Sequence, residues 1–184
     1  MGVEVEKKYR VSREQTEALR GRLAEVGAAA RGGEEFEENT IYTGPGLDPR
    51  RRVLRIRRVA GRGVFTYKER GGRQASAVKR NREEETEVAD ADALAAILEA
   101  LGYRPALVYE KRRSTYDVGG AEVVLDELPF GLFVEIEGAE EAIHEVEALL
   151  NLGGAEAEHA PYPELTAREG RERDGVFEAR FTKN

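Results

Sequence analysis

Eight segments of this chain alternate apolar and charged residues one for one, and this alternation constrains the fold more than any other feature. The segments are residues 2–11, 36–43, 51–60, 63–70, 74–89, 106–118, 121–128 and 131–138. An alternation of period two predicts β-strands with one apolar face. The other face is acidic and basic, as where Glu135 and Glu137 alternate with Val134 and Ile136. We therefore expect a largely antiparallel sheet with one charged face.

Three further segments have the 3.6-residue periodicity of amphipathic helices. Ser12 and Gln15 form a capping-box pattern before the first, which ends at Gly27. Either Asp90 or Asp92 can cap the second helix, and the third runs from about residue 139 to 152. Such helices must cover apolar surface, so they are expected on the apolar face of the sheet.

The connections between the predicted strands are short, as at Gly61–Gly63 and Gly119–Gly120. Short connections favour a meander that can curl and close. The predicted fold is therefore α+β: a closed eight-stranded antiparallel β-barrel with a charged interior and helices outside. The alternative is an open sheet that points its charged face at solvent. Burying so many charges without a ligand is costly, so a closed barrel implies a polyanion together with metal cations.

The 184 residues are predicted to form one domain, with a core at about residues 1–152 and a C-terminal extension at residues 153–184. Without cysteine, the chain cannot contain disulfides, thiolate zinc sites or cysteine nucleophiles. No run approaches the roughly 18 apolar residues of a membrane span, and the N-terminus is charged where a signal peptide is apolar. A cytoplasmic enzyme or binding protein is expected.

Basic residues are concentrated in one part of an acidic chain. Residues 50–82 hold thirteen Lys and Arg and one acid, a net charge of +12, whereas the whole chain has a net charge of -7. Such a block indicates an anionic partner, either nucleic acid or a phosphorylated small molecule. An ordinary solvated face explains the same block equally well.

Several charged strands resemble those of the CYTH superfamily, the triphosphate tunnel metalloenzymes. That family includes class IV adenylyl cyclases, thiamine triphosphatases and inorganic triphosphatases. Its N-terminal E-x-E-x-K motif is similar to residues 4–8. The resemblance continues, in the family's order, through NTIYT (39–43), VLRIRR (53–58), FTYKER (65–70), REEETEV (82–88), EKRRSTY (110–116), VVLDELPFG (123–131) and LFVEIEG (132–138).

The resemblance implies a site residue by residue. The implied metal ligands are the acids Glu4, Glu6, Asp126, Glu135 and Glu137. The implied triphosphate ligands are the bases Lys8, Arg55, Arg57, Lys68, Lys111 and Arg113. Catalytic roles are implied for Glu6, Lys68 and Glu135. Each of these residues has the charged parity of its strand, and a set of carboxylate ligands suits Mg²⁺ or Mn²⁺.

In two predicted strands, the alternation does not decide which residues point inward. In the second predicted strand, either Asn39 with Ile41 or Thr40 with Tyr42 belongs to the charged face, so Tyr42 is not assigned a catalytic role. In the fifth, Arg80 and Arg82 have one parity and Glu83, Glu85 and Glu87 the other. Glu85 is predicted to point inward.

The resemblance implies a metal-dependent triphosphate phosphohydrolase, acting on inorganic triphosphate, a nucleotide or thiamine triphosphate. The alternative within the family is a class IV adenylyl cyclase, which converts ATP to cyclic AMP and pyrophosphate. Outside the family, a non-catalytic binder of polyphosphate or nucleic acid would use the block at residues 50–82. The acids Glu4, Glu6, Glu135 and Glu137 would repel nucleic acid, so the expected partner is a small triphosphate, without a membrane. The sequence is also compatible with a homodimer.

Overall fold

A computed structural model describes residues 5–70 and 81–182, apart from the side chains of residues 70, 81 and 82. Glu4 and residues 74–80 of the fifth predicted strand lie outside the described residues. The helices are α1 (Arg13–Glu25), α2 (Ala91–Ala100), α3 (Glu140–Leu149) and α4 (Tyr162–Glu169). The strands are β1 (Val5–Val11), β2 (Ala29–Ala30), β3 (Glu35–Thr43), β4 (Arg52–Val59), β5 (Arg62–Arg70), β6 (Asn81–Val88), β7 (Arg104–Val118), β8 (Ala121–Leu128), β9 (Gly131–Gly138), β10 (Glu156–Ala157), β11 (Arg171–Arg173) and β12 (Val176–Ala179).

The three predicted helices are present, and their caps follow from the sequence. Before α1, the Gln15 amide donates to Ser12 Oγ at 3.1 Å and the Ser12 amide to Gln15 Oε1 at 2.7 Å, a complete capping box. Asp90, rather than Asp92, caps α2, because its side chain accepts bonds from the amides of Asp92 and Ala93. Helix α4 was not predicted. No helix among the described residues is long and apolar enough to cross a membrane.

The chain divides into two compact units. The N-terminal unit comprises Glu4–Glu35 and Lys111–Ala160, and the central unit comprises Phe36–Glu110 and Pro161–Asn184. Strand β7 has residues in both. Each unit has its own hydrophobic core.

In the N-terminal unit the strands are ordered β10-β1-β9-β8-β7 and pair antiparallel. One face of this sheet packs against α1 and α3. Its buried core residues are Tyr9, Val11, Val123, Leu125, Val134 and Ile136 from the strands, with Leu19, Leu23, Ile143 and Val146 from the helices. The β7–β8 hairpin turns at Gly119 and Gly120, whose φ angles of 59° and 76° favour glycine.

In the central unit β3, β4, β5 and β6 pair antiparallel in chain order. Their apolar face packs against α2, with Tyr42, Leu54, Ile56 and Leu98 at its centre. The C-terminal extension adds β12, which pairs parallel with β7 from Phe177 opposite Leu107 to Ala179 opposite Tyr109. The Phe181 amide donates to Glu110 Oε2 at 2.7 Å and holds the chain beyond that strand.

The α+β class and the large antiparallel sheet are confirmed, but the closed eight-stranded barrel is not. The described residues contain twelve strands, and their order begins at β10 and ends at β6 with no pairing that joins these two strands. Alternation specifies which residues share a face of a strand. It does not specify whether the strands at the two ends of the order pair with each other, so the predicted closure is not confirmed.

Candidate functional site

The strand register of the N-terminal unit places the predicted site residues on one face. Lys8 lies opposite Glu135, Glu6 opposite Glu137, and Arg113 opposite Asp126. Residues that pair directly across antiparallel strands project on the same face. This face is the one turned away from α1 and α3, because the alternating residues Val134 and Ile136 belong to the core.

Five of these side chains form a contiguous group, here called the buried ion cluster: Lys8, Lys111, Arg113, Asp126 and Glu135. Arg113 donates to both oxygens of Asp126, at 2.8 Å from Nε and 2.5 Å from Nη2. Its Nη2 also donates to Glu135 Oε2 at 2.8 Å. Lys111 Nζ lies 3.6 Å from Asp126 Oδ2, and Lys8 Nζ lies 3.7 Å from Glu135 Oε1.

Burial makes this cluster unusual. The side chain of Asp126 is 0% exposed, that of Lys111 6% and that of Lys8 5%. Burial, followed by the charge of Asp126, raises the pKa of Glu135 against the opposing charges of Arg113 and Lys111. Three cations and two carboxylates carry a formal charge of +1 (3 − 2), so the cluster is electrostatically suited to an additional anionic group.

Acidic residues continue along the same face. Glu137 lies opposite Glu6 on one side and Glu122 on the other, which gives a row of three carboxylates across β1, β9 and β8. Like charges directly opposite one another destabilise a sheet unless a cation compensates them. Arg31 compensates Glu122 and also bonds Asp117 at 2.8 Å from its Nε.

The donor chemistry of this face fits a hard divalent cation, because its candidate ligands are all carboxylate oxygens. Among residues 5–70 and 81–182, however, no three acidic or imidazole groups lie close enough together to hold a metal ion. Glu4, the fifth implied ligand, is outside this part of the chain. Asp126 and Glu135, the two candidate ligands in the buried ion cluster, both accept a hydrogen bond from Arg113 Nη2.

The central unit carries a second charged face, on the opposite side of its sheet from α2. Arg57 donates from Nη2 to Glu85 Oε1 at 3.3 Å, and Arg55 donates from Nη2 to Thr66 Oγ1 at 3.3 Å. Thr66 in turn donates to Glu85 Oε2 at 2.9 Å, and Lys68 pairs with Glu83 at 2.9 Å. Glu85 therefore lies on the face of the two arginines.

The register also decides the ambiguity in the second predicted strand. Asn39 lies opposite Arg57 and Ile41 opposite Arg55, so these residues share the charged face. Tyr42 lies on the other face in the core against α2, where burial raises its pKa. Asn39 had been one of the two alternatives for this face and is 0% exposed, whereas Glu37 and Thr66, which are at most 3% exposed, were not predicted as site residues. The alternation along each strand would have assigned these residues to the charged face if the register of β3 against β4 had been known.

Two arginines of the basic block already have acidic partners. Arg58 lies on the face of β4 opposite to Arg55 and Arg57, whereas Arg62 has the parity of Thr66 and Lys68 in β5. Arg58 donates to Asp92 at 2.6 Å and to Glu38 at 3.4 Å, and Arg62 donates to Glu87 at 3.1 Å. These partners neutralise part of the positive charge that a nucleic acid would need.

The architecture and the two charged faces define a class: an α+β protein in which, within each unit, helices cover one face of an antiparallel sheet and the other face carries acidic and basic side chains. The family model described as CYTH domain matches residues 2–161. This match spans most of the chain, and the chain belongs to the CYTH domain family.

Solved structures agree with this membership. The PH1012 protein from Pyrococcus horikoshii OT3 is 26% identical with a TM-score of 0.74, covering 88% of this chain and 98% of its own. A Vibrio parahaemolyticus protein described as a "putative adenylate cyclase" is 26% identical with a TM-score of 0.68, covering 90% and 98%. The Hippeastrum protein HpAC1, described as having a dominant triphosphatase activity, is 19% identical with a TM-score of 0.66, covering 95% and 98%, and its likeness shows the fold alone. No curated protein matches the chain significantly.

Proposed function

We propose that this protein is a metal-dependent triphosphate phosphohydrolase. The observation that carries the proposal is the buried ion cluster, where Lys8, Lys111 and Arg113 share two carboxylates whose side chains are 0% (Asp126) and 12% (Glu135) exposed. A cluster that serves only stability gains little from ion pairs, because replacing a buried pair with apolar residues is often neutral or stabilising. Ligand binding is a better explanation for so many buried charges.

The three cations of the cluster would bind phosphate oxygens. Arg113 presents a planar guanidinium that matches two phosphate oxygens, whereas the two lysines act as point charges. They would neutralise the negative charge that moves toward the leaving oxygen during phosphoryl transfer. In the central unit, Arg55, Arg57 and Lys68 remain proposed phosphate ligands, and Lys68 and Glu6 remain proposed catalytic residues.

Asp126 and Glu135, with Glu4, Glu6 and Glu137, would hold Mg²⁺ or Mn²⁺. When bound, such an ion supplies a positive charge that polarises phosphoryl oxygens and lowers the pKa of a coordinated water. The protein's own contribution is to keep Glu135 close to Arg113 and Lys8, so that carboxylate and phosphate oxygens can be bound side by side.

An adenylyl cyclase is the second candidate, and the Vibrio parahaemolyticus relative favours it by its name. A hydrolase directs water at the terminal phosphorus and releases phosphate. A cyclase directs the 3′-hydroxyl of ATP at the α-phosphorus and releases pyrophosphate. The same cations serve both reactions, so the products distinguish them.

The test is a product assay with inorganic triphosphate, ATP and thiamine triphosphate. Chelator-treated protein should be inactive until Mg²⁺ or Mn²⁺ is restored, and Glu135→Gln should lower turnover by about a hundredfold or more. Glu127→Gln is the matched control, because Glu127 lies on the opposite face of the same sheet and pairs with Arg112. Full turnover in excess chelator, or equal turnover of both variants, would contradict the proposal.

A thermal-shift experiment separates the enzyme from a nucleic-acid binder. Triphosphate with metal at 100 times its Kd should stabilise the fold by about 2.7 kcal/mol, because a ligand of the native state stabilises it by mass action. RNA should bind weakly and with a shallow salt dependence, since Arg58 and Arg62 already have acidic partners. Tight, steeply salt-dependent RNA binding with no shift by triphosphate would favour the binder.

A further inference from the structure

Strand β3 places two buried polar side chains on the charged face of the central unit. Glu37 is 3% exposed and Asn39 is 0% exposed. Asn39 Nδ2 donates to Glu37 Oε2 at 3.3 Å. This bond fixes the orientation of the Asn39 amide, because a flipped amide would point its oxygen at a carboxylate that can only accept.

The bond to Glu37 leaves the amide oxygen of Asn39 without a partner. Among the described residues, the buried side-chain atoms without a hydrogen-bond partner are Asn39 Oδ1, Arg55 Nε and Arg57 Nε. Buried polar atoms are seldom unpaired in folded proteins, so an acceptor and two donors on one face need an explanation.

The strand register pairs one of these donors with the acceptor. Asn39 lies directly opposite Arg57 on β4, whereas Arg55 lies opposite Ile41, which has no acceptor. Cβ atoms of directly opposed residues are about 4.5–5.5 Å apart, a distance that an asparagine and an arginine side chain can bridge. In the present arrangement Arg57 instead uses Nη2 for Glu85 at 3.3 Å.

We infer that Asn39 is a positioning residue for Arg57. When Arg57 leaves Glu85 for a phosphate group, its Nε–H donates to Asn39 Oδ1, and both Nη atoms stay available for the anion. The amide then fixes the plane of the guanidinium, which the bidentate recognition of phosphate requires. Glu37 supports this arrangement by holding Nδ2. The inference rests on the proposed function, since it needs Arg57 to bind phosphate.

The test is a double-mutant cycle in which calorimetry measures the binding of inorganic triphosphate with Mg²⁺. Asn39→Leu should weaken binding about tenfold, the loss expected for one hydrogen bond to a charged group. In the Arg57→Ala background the same substitution should have almost no effect, because the group that it positions is absent. In the Arg55→Ala background it should again cost about tenfold, which makes Arg55 the matched control.

Two further variants guard against a general loss of structure. Thr40→Val removes a buried hydroxyl from the other face of β3 and should leave triphosphate binding unchanged. Asn39→Ser is the second variant in case Asn39→Leu does not fold, since serine stays polar but is too short to reach the guanidinium.

The outcomes separate the two proposals. Losses from Asn39→Leu and Arg57→Ala that simply add would overturn the positioning role while leaving Arg57 a phosphate ligand. An Arg57→Ala variant that binds triphosphate as tightly as the wild type would overturn both the positioning role of Asn39 and the role of Arg57 as a phosphate ligand. The proposed hydrolysis rests on the buried ion cluster and is tested separately by Glu135→Gln.

Discussion

Replacing Arg113 with methionine should destabilise the protein strongly, because it removes one partner from a group of buried charges. Methionine keeps the length of the side chain but loses three hydrogen bonds, two to Asp126 and one to Glu135. The carboxylate of Asp126 is 0% exposed, so water cannot replace the lost bonds. Breaking a buried pair in this way costs about 3–5 kcal/mol. For a chain of this size, that cost lowers Tm by about 6–20 °C.

Urea unfolding followed by circular dichroism measures this loss as a shift of the midpoint at constant slope. Arg31→Met is the matched control within the same unit. Arg31 also bonds two carboxylates, but its side chain is 55% exposed, and exposed ion pairs contribute little to stability. Arg113→Met combined with Asp126→Asn should recover part of the loss, because the second substitution removes a buried carboxylate that has lost two of its hydrogen bonds. Equal losses in Arg113→Met and Arg31→Met would refute the argument from burial.

Two other substitutions test separate features. Gly170→Ala should cost about 1–3 kcal/mol of unfolding free energy in the same urea assay, because a Cβ there would lie 2.5 Å from the Thr166 carbonyl oxygen and 2.7 Å from that of Glu178. Gly153→Ala is the control and should change the unfolding free energy little, because a Cβ at Gly153 would have no neighbour within 4 Å. Equal effects of the two substitutions would contradict this packing. Arg31→Gln should raise the pKa of Asp117 in an NMR titration, since hydrogen bonds from Arg31 are the main cause that lowers it. A carboxyl group whose pKa is lowered in the folded state stabilises the fold at pH values above its unfolded pKa of about 3.9, and this stabilisation is lost as the pH falls through the folded pKa. The difference in stability between wild type and Arg31→Gln should therefore vanish in acid. A difference that persists in acid would contradict the ion pair.

The sequence predicted the strands well wherever the alternation was strict. The segments predicted at 121–128 and 131–138 coincide with β8 and β9, and their charged parity placed Asp126, Glu135 and Glu137 on the charged face. This succeeded because parity is a local property: each residue's face follows from its neighbours in the chain. The cap at Ser12 was predictable for the same reason.

Features that depend on distant partners were not predictable. Strand β12 pairs parallel with β7, some 70 residues earlier in the chain, so no local pattern indicates it. The face of Asn39 became clear only from the register of β3 against β4, because EFEENT contains polar residues at both parities. The closed barrel was not confirmed because the contact between first and last strands is the least local property of a sheet.

The two-residue turn at Gly119 and Gly120 limits how this chain can change in evolution. It sets the register in which Val118 meets Ala121 and, five residues further along each strand, Arg113 meets Asp126. Deleting one residue from β8 ahead of Leu125 would exchange the two faces of the strand beyond the deletion. Leu125 would then lie on the charged side and Asp126 in the core. Gain or loss of residues within this hairpin is therefore restricted to pairs, whereas the segment between β3 and β4, which does not set the register of the buried ion cluster, can vary in length by single residues.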